Sequence, residues 1–286
     1  MHHNNHCLLC RSSRFRLIHK RGRWNYLRCR RCGLVCLDPM PSPEELRQSY
    51  HTYLPDSENE AEKWEAMMRP IVVKSARIIE AESPPGRLLD IGSGYGFFLK
   101  EMKQRGWEVD GIEISETGRH YTKARIGVPV HSGPLESLSL PQDSFDAVTL
   151  FYVIEHLSDP LSTMKEVNRI LKPGGLALVR WPHSTPIVRL TGPLSKRFDL
   201  YHTPYHLYDF SPLTMTMLLE SAHFEAIKTI VGDYTLPDIR FYRWCSVVTG
   251  ILAERICLMS QGRILLPGVS KTTIAKKGSG KNSCTK

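Results

Sequence analysis

LLDIGSGYGFFL, residues 88–99, is the stretch that decides the fold of this chain of 286 residues. A short apolar run leads into a glycine-rich turn, and a segment with a helical pattern follows directly. Gly92, Gly94 and Gly96 let the backbone turn sharply and approach a ligand, and the new helix offers free N–H groups at its N-terminus. The stretch therefore predicts a strand, a ligand-binding loop and a helix.

Outward from this loop, short apolar runs alternate with amphipathic segments over residues 87–181. The runs include WEVDGIEI, FDAVTLFYV and GLALVRW. This alternation predicts the α/β class, with a doubly wound, mostly parallel, Rossmann-like sheet. The chain is 41% hydrophobic and 23% charged, and it is long enough to bury a substantial core. Wholesale disorder is excluded.

An acidic residue ends the second predicted strand. Glu113 stands twenty-one positions after Gly92, where a carboxylate is placed to accept hydrogen bonds from two ribose hydroxyls. The loop and this acid together indicate a nucleoside cofactor. A dinucleotide fingerprint would read GxGxxG, but Gly96 comes one residue early and Phe97 occupies the expected place. Hydride transfer with NAD therefore becomes the second hypothesis.

Four segments within residues 87–182 together resemble the class I S-adenosylmethionine-dependent methyltransferases: LLDIGSGYGFFL, GIEIS, SFDAVTLFYVIEHLSDP, and LKPGG before LALVRWP. The resemblance implies methyl transfer with S-adenosyl-L-methionine as cofactor, and FEAIKTIVG fits the antiparallel edge strand of that fold. YLRCRRCGLVCLDPMPSPEEL and YHLYDFSPLTMTMLLESAHF resemble a bacterial subgroup that has an N-terminal zinc ribbon. Membership of that subgroup implies modification of sugars, surface polysaccharides or other secondary products.

The resemblance also implies roles for the cofactor-binding residues. Asp90 and the three glycines would hold the methionine end of the cofactor, and Glu113 would hold its ribose. Pro134 stands where relatives often have an acid that bonds adenine, so we expect the backbone around Leu135 and apolar contact to hold the base. Phe151 points toward the cofactor in this fold, with a place in the sheet core as the alternative.

The candidate catalytic residues follow the fourth strand of the predicted sheet. Methyl transfer is an in-line displacement, and it needs a base only if the acceptor arrives protonated. His156 has a suitable pKa for that role and Glu155 could orient it, although the Glu-His pair could instead organise the loop that follows. From the polar stretch 181–210, His206 and Tyr205 are second candidates for contacting the acceptor.

A metal site is predicted at the N-terminus. Cys7-x2-Cys10 and Cys29-x2-Cys32 are separated by eighteen residues, which is zinc-ribbon spacing. Four thiolates leave no open coordination position, so the predicted Zn2+ is structural. A redox pair or ordinary buried cysteines are the alternatives.

Composition divides the chain into four parts: a zinc ribbon at 1–38, a helical linker or lid at 39–85, an S-adenosylmethionine-binding domain at 86–232, and an extension at 233–286. Ser42, Pro43 and Glu45 predict a capped helix start. A helical stripe from Trp64 to Ile79 predicts packing against the catalytic domain, with a lid over a ligand as the alternative. Pro70 should start or kink that helix.

The 38 Lys and Arg residues outnumber the 29 Asp and Glu residues, and the excess lies at the two ends of the chain. Residues 1–37 hold nine basic residues and no acid, and residues 271–286 hold five more basic residues. Such ends could meet RNA, an acidic lipid surface or a nucleotide-bearing substrate. We expect the C-terminal tail to be disordered.

Residues 239–259 mix arginines with large apolar residues. They could form a basic amphipathic helix on a membrane, but the charges are few, which favours packing on the catalytic domain or on a partner copy. No uncharged stretch approaches the length of a membrane span, and no secretory signal is recognisable. We therefore expect a cytoplasmic protein with reduced cysteines.

The sequence thus favours methyl transfer to a hydroxyl, amine or carbon of a small, sugar-like or secondary-metabolite-like acceptor. An RNA methyltransferase that grips phosphates with the basic ribbon is the first alternative. A non-catalytic interaction module that retains the fold is the second. The pattern leaves the oligomeric state open.

Overall fold

The computed structural model describes residues 6–51, 54, 57–192, 199–260, 262, 264–266 and 270–279. The helices are α1 (Pro43–His51), α2 (Glu58–Glu82), α3 (Phe97–Gln104), α4 (Glu116–Arg125), α5 (Pro160–Ile170), α6 (Thr185–Thr191), α7 (Pro212–Ser221) and α8 (Arg240–Met259). The strands are β1 (Phe15–Arg21), β2 (Trp24–Cys29), β3 (Val35–Asp38), β4 (Arg87–Ile91), β5 (Glu108–Ile112), β6 (Val130–His131), β7 (Phe145–Phe151), β8 (Leu171–Trp181), β9 (Tyr208–Asp209), β10 (Phe224–Val231) and β11 (Lys271–Lys277).

The larger sheet has seven strands in the order β10-β11-β8-β7-β4-β5-β6. Strands β4 to β8 pair in parallel, whereas β11 runs antiparallel to both β8 and β10. Helices α2 and α3 pack on one face of the sheet, and α5 and α7 pack on the other. This architecture confirms the predicted mostly parallel, Rossmann-like sheet with an antiparallel edge.

The C-terminal basic segment differs from expectation. Residues 271–277 were expected in a disordered tail, but they form β11 and complete the sheet. The ammonium group of Lys271 donates to the carbonyl of Leu266 at 2.6 Å, and that of Lys277 bonds the Asp143 carboxylate at 2.7 Å. Because these lysines have fixed partners, the basic composition of this segment does not mean disorder. The predicted boundary at 232/233 lies between β10 and β11, which are paired strands of the same sheet. The rest of the predicted tail, 280–286, lies outside the described residues.

The helical segment before the sheet begins as predicted. The Glu45 backbone N–H donates to the Ser42 hydroxyl at 3.2 Å, and the Ser42 N–H donates to the Glu45 carboxylate at 2.8 Å, which is a capping box. Helix α2 continues through Pro70, so the expectation that this proline starts the helix is wrong. Ile71 and Ile79 in its second half are fully buried against the catalytic half.

The N-terminal ribbon is joined to the catalytic half. Strands β1, β2 and β3 form an antiparallel sheet, and β9 adds to its edge from a distant part of the chain. The Tyr26 ring stacks on the Tyr201 ring with centroids 4.1 Å apart, and the Leu37 N–H donates to the Leu207 carbonyl at 2.9 Å. Residues 7–37 of the ribbon therefore share one hydrophobic core with the segment 200–210.

Helix α8 packs on the domain through small residues. Its buried positions are Gly250, Ala253 and Cys257, while most of its large apolar side chains face outward. Packing on the catalytic domain therefore does not account for those side chains. Among the described residues, no helix combines the length and apolar character that crossing a bilayer requires.

Candidate functional site

A cavity of about 840 Å³ opens at the carboxyl ends of β4, β5 and β7. Ligands collect at this edge of an open α/β sheet, because strand ends and helix N-termini meet there. Helix α2 covers one side of the cavity with Trp64, Met67 and Met68. The N-terminal half of α2 thus borders the cavity, in the position that the lid prediction requires, while its C-terminal half packs in the core.

The glycine loop forms the floor of this cavity. A Cβ atom at Gly92 would lie 2.3 Å from a methyl group of Val153, so only glycine fits there without displacing it. Gly94 borders open space at φ 55°, and both glycines line the cavity. Gly96 starts α3 at φ 76° and turns toward Thr122, so it shapes the loop without lining the cavity.

The Glu113 carboxylate lies on the cavity wall in contact with the glycine loop. One oxygen accepts from the Gly94 N–H and the other from the Ser115 N–H, both at 2.7 Å. Burial raises the pKa of Glu113, while these backbone donors act in the opposite direction. The backbone N–H of Ile114 also acts on this group, and a carboxylate accepts about four hydrogen bonds, so Glu113 retains acceptor capacity for a ligand in the cavity. A hydrogen-bond acceptor in this position fits a diol such as a ribose, whose hydroxyls donate.

Asp90 ends β4 at the base of the loop. Its Oδ1 accepts a 2.6 Å hydrogen bond from the Thr149 hydroxyl, and its side chain is buried. Burial raises the pKa of Asp90 to about 7, and the nearby charge of Glu113 acts in the same direction. A cationic ammonium group brought to the cavity would hold this carboxyl in its charged form.

The remaining predicted cofactor residues also line the cavity. Leu135 is buried at its rim, and the Phe151 ring packs at 4.7 Å from the Phe98 ring while forming part of the wall. Sequence reasoning missed Ile114 and Tyr95, which border the same space. Ile114 is 51% exposed beside a buried carboxylate, and an apolar residue directly after a strand-end acid is the signal that could have identified it.

A second cavity, of about 500 Å³, adjoins the first one. Tyr152, His156 and His202 line both cavities, whereas His206 and Tyr205 line only the second. Tyr152 has a positive φ of 57°, a conformation that is strained for a residue with a large side chain. Its hydroxyl accepts from the Arg180 guanidinium at 2.8 Å, which holds the ring between the two spaces.

His156 lies at the junction of the cavities. Its Nδ1 lies 2.9 Å from the Tyr205 carbonyl, so the neutral ring carries its proton on Nδ1. Burial lowers the pKa of His156 to about 4, so the imidazole is neutral at pH 7. The His206 ring centroid is 4.9 Å away, and burial lowers the pKa of His206 as well.

Glu155 sits beneath these imidazoles. It is buried, and neither carboxyl oxygen has a hydrogen-bond partner among the described residues. Burial raises the pKa of Glu155 to about 8, so the group is mostly protonated at neutral pH. One ligand-type atom from each of Glu155, His156 and His206 lies within 4.8 Å of the other two.

The four N-terminal cysteines converge. All four sulfur atoms lie within 4.8 Å of one another, and the Cys7–Cys32 and Cys10–Cys29 pairs are each 3.5 Å apart. Tetrahedral coordination with Zn–S bonds of about 2.3 Å separates thiolates by about 3.8 Å. The cluster therefore fits a zinc ion closely. None of the four cysteines is in a disulfide bond.

Comparison with known proteins identifies the family. The Methyltransferase domain family matches residues 63–229, which is more than half of the chain. This chain belongs to that family. Its glycine loop, Glu113 and the part of α2 that borders the cavity all fall inside the match, and the class I methyltransferase resemblance is confirmed.

Two relatives illustrate the range of the family. A Mycolicibacterium smegmatis protein, named as a probable S-adenosylmethionine-dependent methyltransferase, is 33% identical over 50% of this chain and 53% of its own length. This chain thus spans about half of that relative. A Pseudomonas aeruginosa ubiquinone biosynthesis O-methyltransferase is 27% identical over 55% of this chain and 72% of its own length.

Solved structures agree on the fold. An Archaeoglobus fulgidus SAM-dependent methyltransferase has a TM-score of 0.53 at 21% identity, over 73% of this chain and 94% of that one. A Haemonchus contortus phosphoethanolamine N-methyltransferase in complex with S-adenosyl-L-methionine has a TM-score of 0.57 at 16% identity, over 85% and 62% of the two chains. At these identities the likeness concerns the fold alone.

Proposed function

We propose that this protein transfers a methyl group from S-adenosyl-L-methionine to a hydroxyl, amine or carbon of a small acceptor that is sugar-like or secondary-metabolite-like. The observation that carries the proposal is the pair of adjoining cavities, which meet at Tyr152, His156 and His202. The larger one has a glycine loop and a carboxylate acceptor suited to a nucleoside, and the smaller one has a polar lining of His, Tyr and Glu side chains. Both have the size of small-molecule sites.

The cofactor would occupy the larger cavity. Glu113 would accept the ribose hydroxyls, Asp90 would face the methionine end together with the backbone of Gly92 and Gly94, and Leu135 would support the base. When bound, the cofactor supplies an electrophilic methyl group on a sulfonium. The protein's task is then to align the acceptor and to keep water out, and the lid residues of α2 serve the second purpose.

The acceptor would occupy the smaller cavity, with its nucleophilic atom near His156. The neutral imidazole carries its proton on Nδ1, so Nε2 is the atom that would take a proton from an attacking hydroxyl or amine. His206 and Tyr205 would contact the polar groups of the acceptor from the far side. Glu155, neutral and buried, would support the rings without adding charge.

The zinc ion is the second proposed group. Cys7, Cys10, Cys29 and Cys32 would bind one Zn2+ as a closed, structural site. Its role would be to fold the ribbon, because a module of this size with a small core depends on such a centre. Through β9 and the Tyr26–Tyr201 stack, a folded ribbon would also hold the segment that carries His202 and His206.

The experiment that tests the proposal is a transfer assay with methyl-labelled S-adenosylmethionine. Zinc-loaded protein would be incubated with a panel of nucleotide sugars, phenols and amines, and with RNA in a parallel arm. We expect label on at least one small acceptor, and no label when His156→Ala replaces the wild-type protein. Label on RNA alone would contradict the proposed acceptor class, and failure to bind the cofactor would contradict the activity.

A further inference from the structure

Exposed apolar surface is concentrated on one helix. Fourteen large hydrophobic residues are exposed among the described part of the chain, and nine of them lie between Ile239 and Met259. Scattered single residues of this kind are normal on a protein surface, but a contiguous group marks an interaction site. Helix α8 is therefore the strongest candidate for a docking surface.

The outward face of α8 has a regular spacing. Six positions recur along it at intervals of 3, 4, 3, 4 and 3 residues: Phe241, Trp244, Val248, Ile251, Arg255 and Leu258. We call these six positions the α8 seam. The opposite side of the helix contributes Gly250, Ala253 and Cys257 to the domain. A strict alternation of three and four is the pattern of a helix that packs on another helix, and it makes a narrow stripe.

The charges of α8 favour a protein partner over a lipid surface. The seam holds a single charged residue, Arg255, near one end, and the first residue of the helix, Arg240, is a second exposed cation at the other end. Glu254 beside it pairs with Lys74 at 2.6 Å, and the guanidinium of Arg243 donates to the carbonyl of Pro237 at 2.9 Å. A helix that lies on a membrane needs a cationic border available to lipid headgroups, whereas a helix–helix seam needs apolar knobs with few charges.

We propose that the α8 seam binds the same seam of a second copy of this chain, with the two helices antiparallel. A two-fold axis between positions 249 and 250 brings Val248 of one copy onto Ile251 of the second copy, and Phe241 onto Leu258. The same register places Trp244 against Arg255 of the second copy, so that the lone cation meets an aromatic face. Parallel pairing would instead bring Arg255 onto Arg255.

The area is sufficient for a stable dimer. The five apolar side chains of the seam, together with Leu252 and Met259 beside it, are between 41% and 85% exposed. Side chains of this size offer on the order of 800 Å² per copy, which is what a standard-size interface buries on each side. Because the interface is isologous, it closes at two copies and does not propagate into a filament.

Sedimentation equilibrium of the zinc-loaded protein, from about 1 to 100 μM, tests the proposal. We expect a dimer, with Ile251→Glu raising its dissociation constant at least a hundredfold because the change buries two carboxylates at the axis. Leu213→Glu on α7 is the matched control, since Leu213 is also exposed but lies outside the seam. Unchanged melting temperature and cofactor affinity in Ile251→Glu would show that the variant is folded.

Cysteine cross-linking in a Cys245→Ser background tests the orientation. Antiparallel pairing predicts that a Val248→Cys protein forms a disulfide with an Ile251→Cys protein when the two are mixed, and that each alone cross-links poorly. Self-cross-linking of each variant would contradict the antiparallel arrangement. A wild-type monomer at 100 μM, or a dimer unaffected by Ile251→Glu, would overturn the proposal. So would a monomer that binds phosphatidylglycerol vesicles through Ile251, because the seam would then be a membrane surface.

Discussion

The two cavities are built in different ways. The larger cavity, proposed to hold the cofactor, is called the cofactor cavity, and the smaller one is called the acceptor cavity. The walls of the cofactor cavity come mostly from residues 90–157, where successive strand ends bring the loop and Glu113 together in chain order. The acceptor cavity joins residues 152–156 to residues 182–184, 200–206 and 270. Its outer part rests on the ribbon through Tyr26 and Leu37. The cofactor cavity is therefore formed mostly by residues that are close in the sequence, whereas the acceptor cavity is formed by packing between distant segments.

Their electrostatics differ as well. The cofactor cavity has carboxylates supported by backbone and hydroxyl donors, at Glu113 and Asp90. The acceptor cavity has buried imidazoles and a buried carboxyl. Burial moves pKa values toward the neutral form in both cavities, but at Glu113 and Asp90 backbone and hydroxyl donors act in the opposite direction. A charged carboxylate suits the binding of polar groups, whereas a neutral imidazole suits the acceptance of a proton. Each prediction below separates these two roles.

The largest effect is expected from His156→Ala. Loss of a positioned base costs about 100- to 10,000-fold in kcat, while the affinity for S-adenosylmethionine should change less than threefold. His120→Ala, at an exposed site on α4, is the matched control. Steady-state kinetics and calorimetry measure the two quantities. An unchanged kcat, or activity that requires an added divalent cation, would contradict the proton-accepting role.

The pH profile sharpens this prediction. Because burial lowers the pKa of His156 to about 4, the imidazole stays unprotonated as the pH falls from 8 to 6. In a Glu155→Gln background with saturating S-adenosylmethionine, where neither Glu155 nor Asp90 should add a titration, the rate should therefore be flat over that range and fall only as the pH approaches 4. Initial rates in overlapping buffers measure it. A loss of activity centred near pH 6.5 would show that the base is an unburied histidine.

Glu113→Ala should weaken cofactor binding in the cofactor cavity. Losing a pair of charge-assisted hydrogen bonds costs about 2 to 4 kcal/mol, or about thirtyfold to a thousandfold in affinity. Titration calorimetry with S-adenosylhomocysteine measures this change. Glu116→Ala, an exposed carboxylate on α4, is the control and should leave the affinity unchanged. Wild-type affinity in Glu113→Ala would contradict the proposed ribose contact.

Cys29→Ser should impair the acceptor cavity and leave the cofactor cavity unchanged. Loss of zinc loosens the ribbon and with it the segment that carries His206, so acceptor turnover should fall about tenfold or more. Cofactor affinity should stay within threefold of the wild-type value. Cys36→Ser, in the same ribbon but outside the thiolate cluster, is the control. Equal losses of both properties would show that the ribbon supports the whole fold.

The smallest effect is expected in thermal stability. Between pH 4.5 and 8 the folded protein holds a proton on Glu155 that the unfolded chain releases, so this group costs stability as the pH rises toward 8. Glu155→Gln removes that titration. Its melting temperature should rise relative to wild type by several degrees between pH 5 and 9. A difference that is independent of pH would mean that Glu155 does not titrate in this range.

The difference between local and long-range contacts also explains which features the sequence could predict. The loop, Glu113 and the parallel sheet follow from patterns within about 20 residues, because a strand end, a glycine turn and a helix start are neighbours in the chain. The cysteine spacing likewise predicted the cluster at Cys7, Cys10, Cys29 and Cys32.

Long-range pairings were not accessible in this way. Strand β9 has only two residues and pairs with β3 across about 170 positions, and β11 has the composition of a basic tail. Neither segment has a sequence pattern that predicts a strand, because its conformation is fixed by pairing with a neighbouring strand. For the same reason the sequence did not show that Gly96 lies behind the cavity or that α8 faces its large residues outward.

Calorimetric titration with S-adenosylmethionine of the wild-type, Glu113→Ala and zinc-depleted proteins tests the central claim most directly, namely that one cavity is local and the other depends on the ribbon. The account predicts micromolar binding by the wild-type and zinc-depleted proteins and a loss of at least thirtyfold in Glu113→Ala. Loss of binding on zinc removal, or full binding by Glu113→Ala, would contradict it.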